Sequence, residues 1–156
     1  MQHAQFNAGE AREIVDAHRS LEGPLLPILH AVQARFGLVG EDAVRLIATE
    51  LNLSRAEVHG VVSFYHDFRT VPAGRRVIKL CRAEACQAAG SAGTNAAIER
   101  ALGMRIGETS ADGQVTLEAV YCLGLCAVAP AAMLDGRPIA RLDEAKALRL
   151  VEEAWA

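Results

Sequence analysis

The hydrophobic pattern of this 156-residue chain changes period once, at Thr70-Val71-Pro72-Ala73-Gly74, so two differently built parts are expected. Before that point apolar residues recur at helical spacing. Ala11 to His18 is a short mixed segment. Leu25, Leu26, Ile28, Leu29, Val32 and Phe36 form one apolar face, preceded by Pro24 where a helix tolerates proline and ended by Gly37. Val44, Leu46, Ile47 and Leu51 give a third helix. It opens on Glu41-Asp42, which places negative charge at the positive end of the helix dipole. Ser54-Arg55-Ala56-Glu57 is a capping-box pattern opening a fourth helix through Val58, Val61, Val62 and Tyr65. No strand-like alternation interrupts this part, so residues 1–74 are predicted to form a bundle of four helices.

After the break the pattern turns strand-like. Arg76-Val77-Ile78-Lys79-Leu80 reads as a strand that delivers Cys81. A helix is predicted from Gly93 to Leu102, with Thr94 or Ser91 as its cap. Val115, Leu117, Ala119 and Tyr121 alternate with Thr116, Glu118 and Val120, a second strand that delivers Cys122. Ala131–Leu134 and Pro138–Leu142 flank Asp135-Gly136, a hairpin signal. Asp143 caps a last helix ending near Trp155. The order β-α-β-β-β-α over 75–156 is that of a compact thioredoxin-like domain, so the fold class is α/β, with the helical bundle preceding this domain.

The bulk properties exclude several roles. Apolar residues make up 51% of the chain and the formal net charge is -3. A sizeable core can form, and no basic stripe interleaved with aromatics marks a nucleic-acid partner. Residues 1–10 have neither the basic nor the apolar region of a secretory leader. The longest uncharged run, Ala119 to Leu134, falls short of the roughly 18–20 residues that span a bilayer and contains Gly124 and Pro130. No direct membrane insertion is expected, and the predicted location is the cytoplasm. There, four cysteines more often bind metal or do redox work than form disulfides.

The cysteines form two tight pairs. Cys81 and Cys86 have four residues between them, Cys122 and Cys126 have three, and thirty-five separate the pairs. Each pair sits on a loop entered from a strand, so two loops at one sheet edge can bring four sulfurs together. Gly124 frees the backbone to curl round a bound centre. Four soft thiolates suit a [2Fe–2S] cluster or a tetrahedral zinc ion, and spacing alone leaves zinc and disulfides open. Neither pair has the C-x-x-C of a thioredoxin redox site or the C-x-x-C-H of haem attachment. Lys79 and Arg82 are near enough in sequence to offset negative charge there.

Specific motifs then add a resemblance over about residues 20 to 150. They are Val62-Ser63-Phe64-Tyr65 with Phe68, Pro72-Ala73-Gly74, and Val77-Ile78-Lys79-Leu80-Cys81. They continue through Cys86-Gln87-Ala88-Ala89-Gly90 and Cys122-Leu123-Gly124-Leu125-Cys126-Ala127-Val128-Ala129-Pro130. The chain resembles the thioredoxin-like [2Fe–2S] ferredoxins, and more closely the small iron–sulfur subunit of the NADH-dehydrogenase module of complex I. Equivalent subunits occur in NAD-linked hydrogenases and formate dehydrogenases. The resemblance implies that Cys81, Cys86, Cys122 and Cys126 bind one [2Fe–2S] cluster. It implies a non-catalytic electron-transfer subunit, with no catalytic residue of its own, that exchanges electrons with a flavin- and NAD-binding iron–sulfur partner. The run Ala131-Ala132-Met133-Leu134-Asp135-Gly136-Arg137-Pro138, and a chain ending at Ala156, look most like the gamma subunit of NAD-dependent, molybdenum-containing formate dehydrogenases. FMN, NAD and the molybdenum cofactor would then sit on partner subunits. The alternatives are the equivalent subunit of complex I or of a hydrogenase, a free ferredoxin, and a structural zinc module.

Other features have weaker claims. Phe64, Tyr65 and Phe68 read first as core packing and second as an anchor for a partner subunit, with the bundle as the docking element. His59 and His66 are not needed as ligands beside four cysteines. Gly90-Ser91-Ala92-Gly93 reads as a glycine turn before a helix, since it matches no phosphate-loop motif. Ala129-Pro130, before a predicted strand, is expected to be a cis peptide.

Overall fold

A computed structural model describes residues 5–156, so the first four residues of the segment read for a leader lie outside the described residues. The chain divides into two compact units, the first ending at Pro72 and the second spanning Ala73–Ala156. The division falls inside the Thr70–Gly74 turn.

The first unit holds four helices: α1 (Ala8–His18), α2 (Leu25–Phe36), α3 (Glu41–Glu50) and α4 (Arg55–Phe64). Local chemistry sets their ends. The Asn7 side chain accepts from the amides of Gly9 and Glu10, so α1 begins three residues earlier than the sequence pattern implies. Gly37 ends α2 in the left-handed conformation, its amide bonded to the Gln33 carbonyl. The capping box of α4 is complete: Glu57 N donates to Ser54 Oγ, and Ser54 N donates to Glu57 Oε2. Val15, Ile28, Leu29, Val32, Ile47 and Val58 are fully enclosed in one core. Each such side chain contributes about 1.5–3 kcal/mol of burial free energy.

The segment after α4 is bolted down by one side chain. Gln33 donates from Nε2 to the Asp67 carbonyl at 2.7 Å and accepts from the Arg69 amide at 2.6 Å. Val39 N then bonds to the Arg69 carbonyl. Among the three clustered aromatics, this burial reaches only Phe68, which packs against the His30 ring at 4.8 Å. Phe64 is 73% exposed and Tyr65 44% exposed. The core-packing expectation therefore holds for Phe68 alone. The helix stops at Tyr65, whose backbone is extended, so Phe64 and Phe68 no longer share a helix face.

The second unit runs β1 (Arg76–Cys81), α5 (Glu84–Ala88), α6 (Ser91–Leu102), β2 (Val115–Val120), a 3-10 turn (Cys126–Val128), β3 (Ala132–Leu134), β4 (Arg137–Ile139) and α7 (Glu144–Trp155). The strands lie in the order β2-β1-β3-β4. β1 and β2 are parallel, while β1–β3 and β3–β4 are antiparallel. Ile78, Leu80, Val115, Leu117 and Leu134 fill one face with Ile98 of α6 and Ala147 and Leu150 of α7. Asp135-Gly136 makes the β3–β4 turn with both residues at positive φ, as a two-residue hairpin requires. Asp135 also fixes that hairpin to β1, its carboxylate accepting from Val77 N at 2.7 Å and from Arg76 Nε at 2.5 Å.

Gly74 enters this unit under tight constraint. Its amide donates to Thr116 Oγ1 at 2.6 Å, and a Cβ there would stand 2.9 Å from the Val115 carbonyl carbon. Four expectations need correction. The helix predicted from Gly93 begins at Ser91. Neither Thr94 nor Ser91 caps it, because Gly90 in the left-handed conformation is the N-cap and supplies no side chain. The strand predicted over Pro138–Leu142 ends at Ile139, since Arg141 takes a left-handed conformation and the amides of Arg141 and Leu142 turn to the carbonyls of Val128 and Pro130. A short helix, α5, was not expected, so the order is β-α-α-β-β-β-α. The Ala129-Pro130 peptide is cis.

Candidate functional site

Parallel pairing decides where the cysteines meet. Strands running the same way finish at the same edge of a sheet, and Cys81 at the end of β1 is paired with Val120 at the end of β2. The loops that follow, one carrying Cys86 and the other Cys122 and Cys126, therefore leave from one edge. β1 holds its position through Cys81 N bonded to the Ala131 carbonyl and Arg82 N bonded to the Val120 carbonyl.

The two pairs are built differently. Cys81 ends a strand, Cys86 lies in α5, and each is only 2% exposed, packed with Ala131 and flanked by Ala83, Val120, Leu123 and Leu125. Cys122 and Cys126 are exposed on a loop. Their sulfurs are 3.7 Å apart, and Gly124 N donates to Cys122 Sγ at 3.3 Å. Cys122 has φ 117° and Gly124 φ 74°. The left-handed residues curl the loop so that both sulfurs face the same side. All four cysteines are free thiols in this arrangement.

The 3.7 Å separation tests the donor set against a bound metal. Metal–thiolate bonds of about 2.3 Å at a tetrahedral centre put two sulfurs about 3.8 Å apart. Cys122 and Cys126 thus already stand where two thiolates on one metal ion belong. Among the described residues no three His, Cys, Asp or Glu side chains are closed round a single ion, so the thiols stand as two pairs.

The thiols also sense one another. Burial pushes Cys81 up, but amides of Ala83, Leu123 and Cys122 and the Cys86 thiol outweigh it and hold Cys81 below the ordinary thiol value. Cys86 is raised, first by burial and then by its hydrogen bond with Cys81, with the charges of Cys81 and Cys126 adding to this. Cys126 is raised by its hydrogen bond with Cys122 and the charge there, and Cys81 again contributes. Negative charge on one sulfur thus opposes ionisation of the next.

The other sequence candidates lie elsewhere. Lys79 Nζ is 3.8 Å from Glu118 Oε2, its cross-strand partner. Arg82 is exposed. His59 and His66 are exposed residues of the helical unit. Sequence reasoning passed over Tyr121, which it placed in β2 but which lies beyond the strand, 74% exposed beside Cys122. Its odd position in an alternation whose inward members are Val115 and Leu117 gave no warning of this. Nor did sequence distinguish a buried pair from an exposed one.

Known proteins share these features. The match to the family described as thioredoxin-like [2Fe-2S] ferredoxin covers residues 11–154. The NADP-reducing hydrogenase subunit HndA of Solidesulfovibrio fructosivorans is 30% identical over 155 residues, 97% of this chain and 91% of that one. The NADH-quinone oxidoreductase E subunit of Pseudomonas aeruginosa is 37% identical over 69% of this chain and 64% of its own length. Its Escherichia coli counterpart is 34% identical over 84% and 81%. Among solved structures, an air-oxidised NAD+-reducing [NiFe]-hydrogenase superposes with a TM-score of 0.73 at 30% identity. That match covers 84% of this chain, which spans only 22% of the hydrogenase chain. With the family match covering residues 11–154 and HndA aligned over nearly the whole chain, the chain belongs to the thioredoxin-like [2Fe-2S] ferredoxin family.

Proposed function

We propose that this chain is the [2Fe–2S] electron-transfer subunit of an NAD(P)-linked oxidoreductase complex, with Cys81, Cys86, Cys122 and Cys126 as the cluster ligands. The observation that carries the reading is the convergence of two free thiol pairs at one sheet edge, one pair spaced at 3.7 Å for a shared metal ion. When bound, such a cluster accepts and returns a single electron and becomes one charge unit more negative on reduction.

The chain's own groups prepare for that charge. The amides aimed at Cys81, and Gly124 N on Cys122 Sγ, favour negative sulfur and raise the tendency to accept an electron. Ala131, Leu123 and Leu125 exclude water from the Cys81/Cys86 side. Cys122, Cys126 and Tyr121 form the open side, through which an electron passes to or from a partner. The helical unit serves as the docking element, with Phe64 and Tyr65 exposed as an aromatic pair whose ring centroids are 5.1 Å apart. The partner is a flavin- and NAD-binding iron–sulfur subunit, and the assembly works in the cytoplasm. Among the described residues no helix is long and apolar enough to cross a membrane.

For the parent complex we favour a molybdenum-containing formate dehydrogenase, on the run Ala131–Pro138. The hydrogenase and NADH-quinone oxidoreductase subunits it resembles support those two complexes as the second reading. Anaerobic purification tests the cofactor. Two irons and two sulfides per chain, with visible charge-transfer absorption bleached by dithionite, are expected. A colourless, zinc-loaded protein overturns the assignment. The metal of the co-purifying subunit then decides the parent: molybdenum supports formate dehydrogenase, while nickel points to a hydrogenase.

A further inference from the structure

A polar pocket lies beside the first cysteine loop. A pocket of about 470 Å³ is lined by Arg82, Gln87, Ser91, Asn95, Glu99 and Arg105, within the roughly 300–1,000 Å³ of small-molecule sites. It opens on the N-terminus of α6, a twelve-residue helix whose N-cap, Gly90, has no side chain to satisfy the first-turn amides. Ser91 is 2% exposed and Asn95 8% exposed. Neither side chain has a hydrogen-bond partner among the described residues, where no enclosed side-chain nitrogen or oxygen lacks one. Their unsatisfied polar atoms must therefore open into the pocket they line. Two largely buried side chains whose free polar atoms reach only this pocket are placed to hydrogen-bond a ligand there.

The charge in the lining selects the ligand. The Arg82 and Arg105 guanidinium groups carry no ion pair among the described residues. The single acid, Glu99, already accepts from Ile106 N at 3.1 Å. Two cations against one carboxylate, added to the positive end of a helix, leave the pocket an anion site. Guanidinium forks with amide, hydroxyl and carboxamide donors suit tetrahedral phosphate oxygens.

We infer that this pocket binds a phosphate-bearing anion, held by Arg82, Arg105, Ser91, Asn95 and the first amides of α6. Equilibrium dialysis or titration calorimetry on the purified full chain with its cofactor tests this, using inorganic phosphate, adenosine monophosphate and acetate as probes. Saturable binding of phosphate or of the nucleotide is expected, weakened at least about tenfold by Arg105→Gln and by Asn95→Leu. The surface variant Arg149→Gln, with the same change of net charge, should bind as the parent does. Equal affinity for the two phosphates identifies free phosphate as the ligand, and a clear preference for the nucleotide identifies a phosphate carried on a larger molecule. No saturable phosphate binding, acetate binding as tightly, or affinity unchanged in both pocket variants overturns the inference. Arg105 is exposed, so its substitution leaves the fold intact, and circular dichroism verifies this.

Discussion

The two cysteine pairs lie at one edge of one sheet and are held by opposite means. Cys81 and Cys86 are fixed by regular structure, the end of β1 and a turn of α5, inside a small apolar cluster with Ala131. Cys122 and Cys126 are fixed by a loop that uses two left-handed residues, one of them Cys122 itself. A non-glycine residue held at such φ costs of order 1–3 kcal/mol and persists only where its surroundings impose it. The first pair therefore belongs to the fold, and its side chains are part of a core. The second belongs to the site, and its geometry is maintained at the expense of the loop.

This contrast can be broken experimentally. The largest effect is expected for Cys86→Ser. It should remove the cluster and also destabilise the cluster-free chain by about 1–3 kcal/mol, because a hydroxyl replaces a thiol in a dry apolar setting. Cys122→Ser should remove the cluster equally but change the stability of the cluster-free chain by no more than about 0.5 kcal/mol, as its side chain is exposed. Iron content and urea unfolding on the same samples separate the two outcomes, and equal stability losses would show that the pairs do not differ as described. Gly124→Ala should cost about 1–2 kcal/mol, because a Cβ at φ 74° is strained although nothing crowds it. It should also speed iron loss to a chelator, which loop strain predicts and simple destabilisation elsewhere does not. The smallest effect on the chain itself is expected for Tyr121→Ala, within about 0.5 kcal/mol in unfolding. Its consequence should appear as slower electron transfer to the partner subunit, measured by stopped-flow absorbance. Unchanged transfer would move the electron port away from the exposed pair.

How far the sequence foretold this arrangement depended on the range of the interactions. Helix ends in the first unit were legible because their signals are local: Ser54 and Glu57 close a box within one turn, and Gly37 supplies its own left-handed cap. α5 was hidden because five residues are too few to show a period. The cap of α6 was assigned to Ser91 or Thr94 because these are common cap residues, and only the backbone conformation shows that Gly90 takes that place. That both cysteine loops leave one sheet edge was legible from their placement after strands. The cysteines' unequal burial was not, because Ala131 reaches Cys81 and Cys86 through the pairing of β3 with β1, far along the chain from the first pair. Phe64 and Phe68 follow the same rule. Their spacing implies a shared face, and the end of α4 at Phe64 separates them.

The parallel registration of β1 and β2 also bears on local opening of the sheet edge. Until Cys81 is aligned with Val120, the two cysteine loops are not held at one edge. The thirty-five residues between the pairs contain the α6 crossover, so bringing the pairs together carries a loop-closure cost that the paired strands offset. A cofactor held by both loops would therefore favour the paired edge over its local opening, because a ligand that binds only the folded arrangement stabilises it.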